Sequence, residues 1–297
     1  MKHKRLTHRL IICIAWLTLS TSVLARDYVL RENFENSNRA STLTYRLDHE
    51  ALQIQYRATS DRLYSYRIEK FDECSSMSLY RIPNTRQIVI DGSCASQGGQ
   101  IYTNVYEWDN SFKNWCLRRE VTGEKPYLNS GEVAPKEDVV RVEGCSEPGD
   151  LKAHQYMPPA QSKEAVIGQL RHFQRIKKDG AATEDFIKSL PAYSVAELVP
   201  YIDATTAEDI NDIAFFLSKY NRSYDAIVLL EPIVNKFPER YVAKLNLADA
   251  YWSNGFNDSA IPLYVAYEAK MKSLGLLKKI PSRVKDRQAA NRSLIGK

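Results

Sequence analysis

Two spacings of apolar residues divide the chain. From about Leu43 to Val142, apolar or aromatic residues alternate with polar ones in short runs: LQIQYR (52–57), YSYRIEKF (64–71), SLYRI (78–82), QIVID (87–91), IYTNVYEW (101–108) and NWCLRREV (114–121). Pro83-Asn84, Asp91-Gly92, Gln97-Gly98-Gly99 and Asp109-Asn110-Ser111 punctuate them. Side chains alternate between the faces of a strand, so a period of two cut by turn formers predicts antiparallel strands. Stretches 76–81 and 86–91, flanking the turn-like Ile82-Pro83-Asn84-Thr85, should form one hairpin about Asn84, and 101–108 and 114–121 a second. A sandwich, or one or two propeller-like blades, fits this pattern; the strands are too few for a complete propeller. Residues 26–42 show no period and read as a loose lead-in, and 123–162, rich in Gly and Pro, reads as irregular.

Further on the period lengthens. EAVIGQLRHFQRI (164–176), TEDFIKSL (183–190) and VAELVPYI (195–202) place apolar residues three and four apart, which is helical spacing. The expected architecture is therefore α+β in two domains. An antiparallel β domain spans 26–150, a linker 151–161, and a helical domain 162–297 with a basic C-terminal cap.

Within the helical half, 207–238 aligns with 241–272 at a constant offset. Ile213 matches Leu247, Ala214 matches Ala248, Leu217 matches Tyr251, Ala226 matches Ala260 and Leu230 matches Tyr264, each pair 34 residues apart. Gly255 suits a tight turn inside the second unit, and Pro238 closes the first. This segment resembles the tetratricopeptide repeat, whose unit is a pair of antiparallel helices of that length. It departs from the family pattern in three places. The family's early Trp is Ile210 in one unit and Lys244 in the other, its usual Gly is Ala in both units, and the second unit lacks the closing Pro. Two units bury too little surface alone, so 162–203 should supply a divergent leading unit and 276–293 a solvating cap.

The resemblance implies a ligand groove lined by the first helix of each unit. It would comprise Asn211, Phe215, Ser218 and Lys219 from the first unit, and Val242, Leu245, Asp249, Trp252 and Ser253 from the second. Phe215 and Trp252 are large apolar groups that the repeat does not need for its own core. They form either a peptide-binding patch or ordinary packing under neighbouring elements. The same two readings stand for Tyr102, Tyr106, Trp108 and Trp115 in the β half.

The N-terminus changes the charge argument. Lys2, Lys4, Arg5 and Arg9 precede an apolar run from Leu10 to Leu19, followed by Val23-Leu24-Ala25. A basic start, an apolar middle and small residues before the cut are the parts of a secretory signal, so cleavage is expected near Ala25. About ten apolar residues is half of the roughly 20 that a spanning helix needs. The full chain has 41 basic and 36 acidic side chains, and removing the four leader bases lowers its balance from +5 to +1. That residue of charge is uneven: Lys278, Lys279, Arg283, Lys285, Arg287, Arg292 and Lys297 face only Asp286 in the last 22 residues. The chain does not have the global basicity of a nucleic-acid binder.

Losing Cys13 with the leader leaves Cys74, Cys94, Cys116 and Cys145, an even set confined to the β half. In an exported chain this predicts two disulfides. A hairpin centred on Asn84 sets residue 74 opposite residue 94, which points to Cys74–Cys94 and leaves Cys116–Cys145. No Cys-x-x-Cys pair, His-x-x-x-His pattern, Gly-x-Ser-x-Gly elbow or phosphate loop is present, and His49, His154 and His172 are far apart in sequence. The expectation is a periplasmic or secreted adaptor without catalytic activity, cofactor or metal, whose partner is another protein or peptide of the envelope. Two alternatives are a periplasmic immunity protein that occludes a toxin, and an envelope hydrolase whose site is assembled only in space.

Overall fold

The computed structural model describes residues 27–48, 50–70, 76–83, 85–93, 99–126, 133–150 and 154–295. Among these residues ten strands precede eight α-helices. Strands β1 (Asp27–Glu32), β2 (Ser41–Leu47), β3 (Ala51–Arg57) and β4 (Leu63–Glu69) form one antiparallel meander. Strands β5 (Ser76–Arg81), β6 (Gln87–Ser93), β7 (Gln100–Asp109), β8 (Asn114–Glu124), β9 (Lys136–Glu143) and β10 (Gln155–Tyr156) form a second. The alternation read from the sequence sorts these strands by face. Leu43, Leu52, Ile54 and Tyr56 of the first sheet share one core with Leu79, Ile88, Ile90, Trp108 and Leu117 of the second. The two sheets are thus the layers of a sandwich.

Tyr106, Trp108 and Trp115 lie inside that core, with Trp115 edge-on to Phe34 at 5.0 Å between ring centroids. For these three rings the packing reading holds. Cys116 and Cys145 form a disulfide with Cα atoms 4.5 Å apart. Cys74 and Cys94 fall outside the described residues. The β5–β6 register pairs Ser76 with Ser93, where symmetry about residue 84 would pair 76 with 92. Ile82 donates to Gln87 O (3.2 Å), so the connection holds an even number of residues and its centre falls between two positions.

Three segments expected to be irregular are ordered as strands. Residues 27–32, expected as lead-in, pair along their whole length with β2, although their side chains stay mostly exposed. A strand held mainly by backbone bonds at a sheet edge leaves little apolar alternation to detect. Lys136–Glu143, within the Gly- and Pro-rich stretch, forms β9. Gln155–Tyr156, within the expected linker, pairs with it as β10.

The helices are α1 (Pro159–Ile176), α2 (Gly180–Ser189), α3 (Ala192–Ala196), α4 (Ala207–Lys219), α5 (Ser223–Lys236), α6 (Tyr241–Ser253), α7 (Asn257–Ser273) and α8 (Ser282–Ile295). Helix α4 packs on α5, α5 on α6, and α6 on α7, while α4 also touches α1 and α6. All ten residues matched at the 34-residue offset are buried. The helix ends recur at the same offset. Arg222 donates to Leu217 O (2.8 Å) and Asn221 to Ser218 O (3.2 Å). Phe256 likewise donates to Tyr251 O (3.0 Å) and Gly255 to Trp252 O (3.1 Å). This pair of bonds closes a helix when the residue after its cap is left-handed, and Asn221 (φ 64°) and Gly255 (φ 79°) are. Polar ties between successive helix pairs span nearly the same distance in sequence. Gln174 bonds Asp209, Asn246 bonds Asn211, Lys236 bonds Ile202 O and Arg283 bonds Asp249.

The outer face of the second sheet meets the helices. Val89, Val105 and Val121 pack against Tyr193 of α3, so this sheet is covered on both sides. Polar ties fix the contact. Glu197 is 4% exposed and accepts from Arg141 Nε (2.6 Å) and Nη2 (3.0 Å), with Arg119 Nε at 3.4 Å. Arg119 also lies over the Tyr193 ring, whose hydroxyl donates to Gln87 Oε1 (2.5 Å). Further along, buried Glu231 of α5 accepts from Val133 N (2.9 Å), Ala134 N (3.4 Å) and Tyr251 Oη (2.7 Å).

Candidate functional site

The nine residues of the implied groove divide into two sets. Asn211 and Leu245 are buried, and Asn211 accepts from Asn246 Nδ2 (3.1 Å). Ser218 is half-buried, with its hydroxyl 3.1 Å from that of Ser223. Asp249 accepts from Tyr264 Oη (2.7 Å), Arg283 Nη2 (2.7 Å) and Arg287 Nη1 (2.5 Å). Trp252 is half-buried beneath the Arg287 guanidinium, 5.5 Å from its ring centroid. These five residues serve internal contacts. Phe215 (46% exposed), Val242 (48%), Lys219 and Ser253 remain open to solvent. Phe215 stands edge-on to Phe216, and Lys219 rests its ammonium 5.5 Å from the same Phe216 ring. Two apolar groups and a lysine thus mark the exposed side of α4 and α6.

Arg283 and Arg287 belong to α8, so the basic C-terminal helix is not only a solvating surface. It stacks on α6 and α7 through Asp249 and Tyr264, where it continues the 34-residue spacing from Asp249 to Arg283. The tyrosine hydroxyl is held protonated by burial and by its bond to Asp249.

A second concavity lies where the sandwich meets the helices. A cleft of about 1250 Å³ opens between the outer face of β5–β8 and the wall formed by α1, α2 and α3. Its floor includes Val89, Ile101 and Val121, and Phe186 and Leu190 face them from α2 and the segment after it. Among its charged residues, Arg222 is engaged by Asp225 (2.6 Å) and by the carbonyls of Ile187 and Leu190. Asp91 accepts from Thr103 Oγ1 (2.7 Å). Burial pushes the Glu137 carboxyl above its usual range, and the nearby Asp225 and Asp91 push it further. Burial and Asp91 likewise raise the Tyr80 phenol. Arg81, Lys125 and Lys188 share the lining with Asp91, Glu137 and Asp185, so an apolar floor is rimmed by charges of both signs. Sequence reasoning did not find this cleft, because its lining comes from separate segments that no spacing joins. The available hint was polar Asp91 directly after the apolar run Ile88-Val89-Ile90.

His154 lies 3.2 Å from Glu120 and His172 packs near Phe186, so these two histidines are not brought together. Among the described residues, no group of three or more His, Cys, Asp or Glu is placed to hold a metal ion. None of their helices is long and apolar enough to cross a membrane. No protein-family model matches the chain, and no curated protein matches it as a relative.

Proposed function

We propose that the chain is an exported, non-catalytic adaptor of the tetratricopeptide type, which binds a protein or peptide of the envelope along the exposed side of α4 and α6. The observation that carries this reading is the recurrence at 34 residues of buried positions, helix-end hydrogen bonds and inter-helix ties. Such a recurrence generates a stack of helical hairpins, and such stacks present one row of helices as a continuous surface. The opposite row is used by the chain itself, since α5 receives Val133 and Ala134 through Glu231. Phe215 and Val242 are left as apolar anchors rimmed by Lys219 and Ser253, the composition of a small interaction patch. Export is supported by the leader-like first 25 residues and by the Cys116–Cys145 bridge, which suits an oxidising compartment.

The test is capture from an envelope extract with wild type and with Phe215→Asp/Val242→Asp, whose side chains are exposed and whose fold should survive. Partners held by the wild type should be lost from the double variant at unchanged helicity. Recovery of the same partners by both proteins would remove α4 and α6 from the binding surface.

A further inference from the structure

The turn between α7 and α8 combines exposed leucines with unpaired lysines on a rigid frame. Helix α7 ends with Gly275 left-handed (φ 69°), as Leu276 donates to Met271 O (2.9 Å) and Gly275 to Lys272 O (3.0 Å). A short 3₁₀ turn, Leu277–Lys279, leads into α8. Leu276 and Ile280 pack against the helical core, which also contains Met271 and Val284. The backbone is therefore pinned on both sides of Leu277. That residue stays 50% exposed and Leu274 45% exposed, although each has buried apolar neighbours within a few positions.

Within the stretch of chain that holds the two leucines, Lys270, Lys272, Lys278, Lys279 and Lys285 are all exposed. None of the five makes a side-chain hydrogen bond or ion pair with the described residues, whereas Arg283 is engaged by Asp249. No acid occurs from 270 to 285; Glu268 and Asp286 are the first on either side. Lys270 and Lys272 also complement the carbonyl end of α7. Lys278, Lys279 and the leucines lie beyond that helix, where its stability does not call for them.

We propose that this turn docks the protein on an anionic phospholipid surface. Leu274 and Leu277 enter the boundary between headgroups and acyl chains, while the surrounding ammonium groups meet lipid phosphates. Lysine suits this position because its alkyl stem follows the apolar group inward while its charge stays at the headgroups. A dissolved polyanion would satisfy the lysines but give the leucines no apolar phase; a bilayer satisfies both. The contact is interfacial and leaves the exposed side of α4 and α6 available. It does not rest on the adaptor reading.

Co-sedimentation with vesicles tests the proposal, using mixed phosphatidylglycerol and phosphatidylcholine against phosphatidylcholine alone. The proteins share one N-terminus, so differences between them report the turn. Wild type should favour the anionic vesicles and be released by high salt. Lys278→Gln/Lys279→Gln should lower the partition coefficient roughly thirty-fold, at about one kcal/mol per basic residue near the surface. Leu274→Asn/Leu277→Asn should lower it roughly tenfold, at helicity equal to wild type. Absence of wild-type binding, or binding by both variants equal to that of wild type, overturns the proposal. So does a leucine variant that binds like wild type while soluble heparin competes, because the surface would then be a general polyanion site.

Discussion

Glu197 offers the sharpest test of how the helices are fixed to the sandwich. Its carboxylate is 4% exposed and takes two hydrogen bonds from Arg141, with Arg119 3.4 Å away; the arginine side chains are 18% and 16% exposed. Glu197→Gln keeps the shape but removes the charge that both guanidinium groups face. Removing one partner of a buried ion pair costs about 3–5 kcal/mol, because the remaining charge is left uncompensated. Here water reaches both arginines in part, so the lower end applies, about 3 kcal/mol. For a chain of this size, with a urea m-value of about 3 kcal/mol/M, the unfolding midpoint should fall by about 1 M. Urea titration followed by far-ultraviolet circular dichroism measures it. A companion variant, Glu197→Leu/Arg119→Leu/Arg141→Met, removes all three charges and should recover most of the loss, since apolar groups of similar size replace such sets at little cost. A midpoint shift below about 0.3 M for Glu197→Gln would refute the reasoning. So would a triple variant less stable than the single one.

Four further outcomes follow from the same geometry. The Glu137 carboxyl is raised in the folded state, so its ionisation works against folding as pH climbs past the ordinary glutamate range. Glu137→Gln should be more stable than wild type at pH 7 and lose that advantage near pH 4, which paired urea titrations will show. Cys116→Ser/Cys145→Ser opens a loop with a sequence separation of 29 and should cost about 3–4 kcal/mol in the chain-entropy model, measured without reductant. Gly255→Ala should cost about 1–2 kcal/mol and lower the melting temperature, because a Cβ there meets no atom within 4 Å and the penalty is the left-handed backbone alone. Asn221→Gly, at the equivalent position of the first helix pair, should be tolerated.

The sequence made the strands legible where one face is buried and the other wet, as in LQIQYR, whose apolar positions are all interior. It made the helix pairs legible through the 34-residue offset, which survives because the same interior contact recurs. Strand β1 escaped notice because edge pairing uses backbone groups that every residue carries. The contacts of Asp249 were also hidden. Its partners Tyr264, Arg283 and Arg287 lie on two later helices, and although such ties recur at a similar spacing, the residue types that make them change from one helix pair to the next. The same limit concealed the cleft, whose floor and wall belong to separate stretches of chain.

Cover on both faces of the second sheet has a consequence for how its strands find one another. In a strand with one buried face, a slip of one residue turns every apolar side chain outward, and burial alone forbids it. Ile88, Val89 and Ile90 are apolar in succession, so the same slip in β6 would still bury apolar groups on both sides. Alignment there needs another discriminator. Gln87 bonds Glu107 (3.0 Å) at one end of the β6–β7 ladder, and Thr103 bonds Asp91 (2.7 Å) near the other. A displacement by one position would separate both pairs as they now stand. These two cross-strand pairs, with Arg86 also bonded to Glu107 (2.9 Å), index the central strands through polar contacts that burial of apolar groups does not supply.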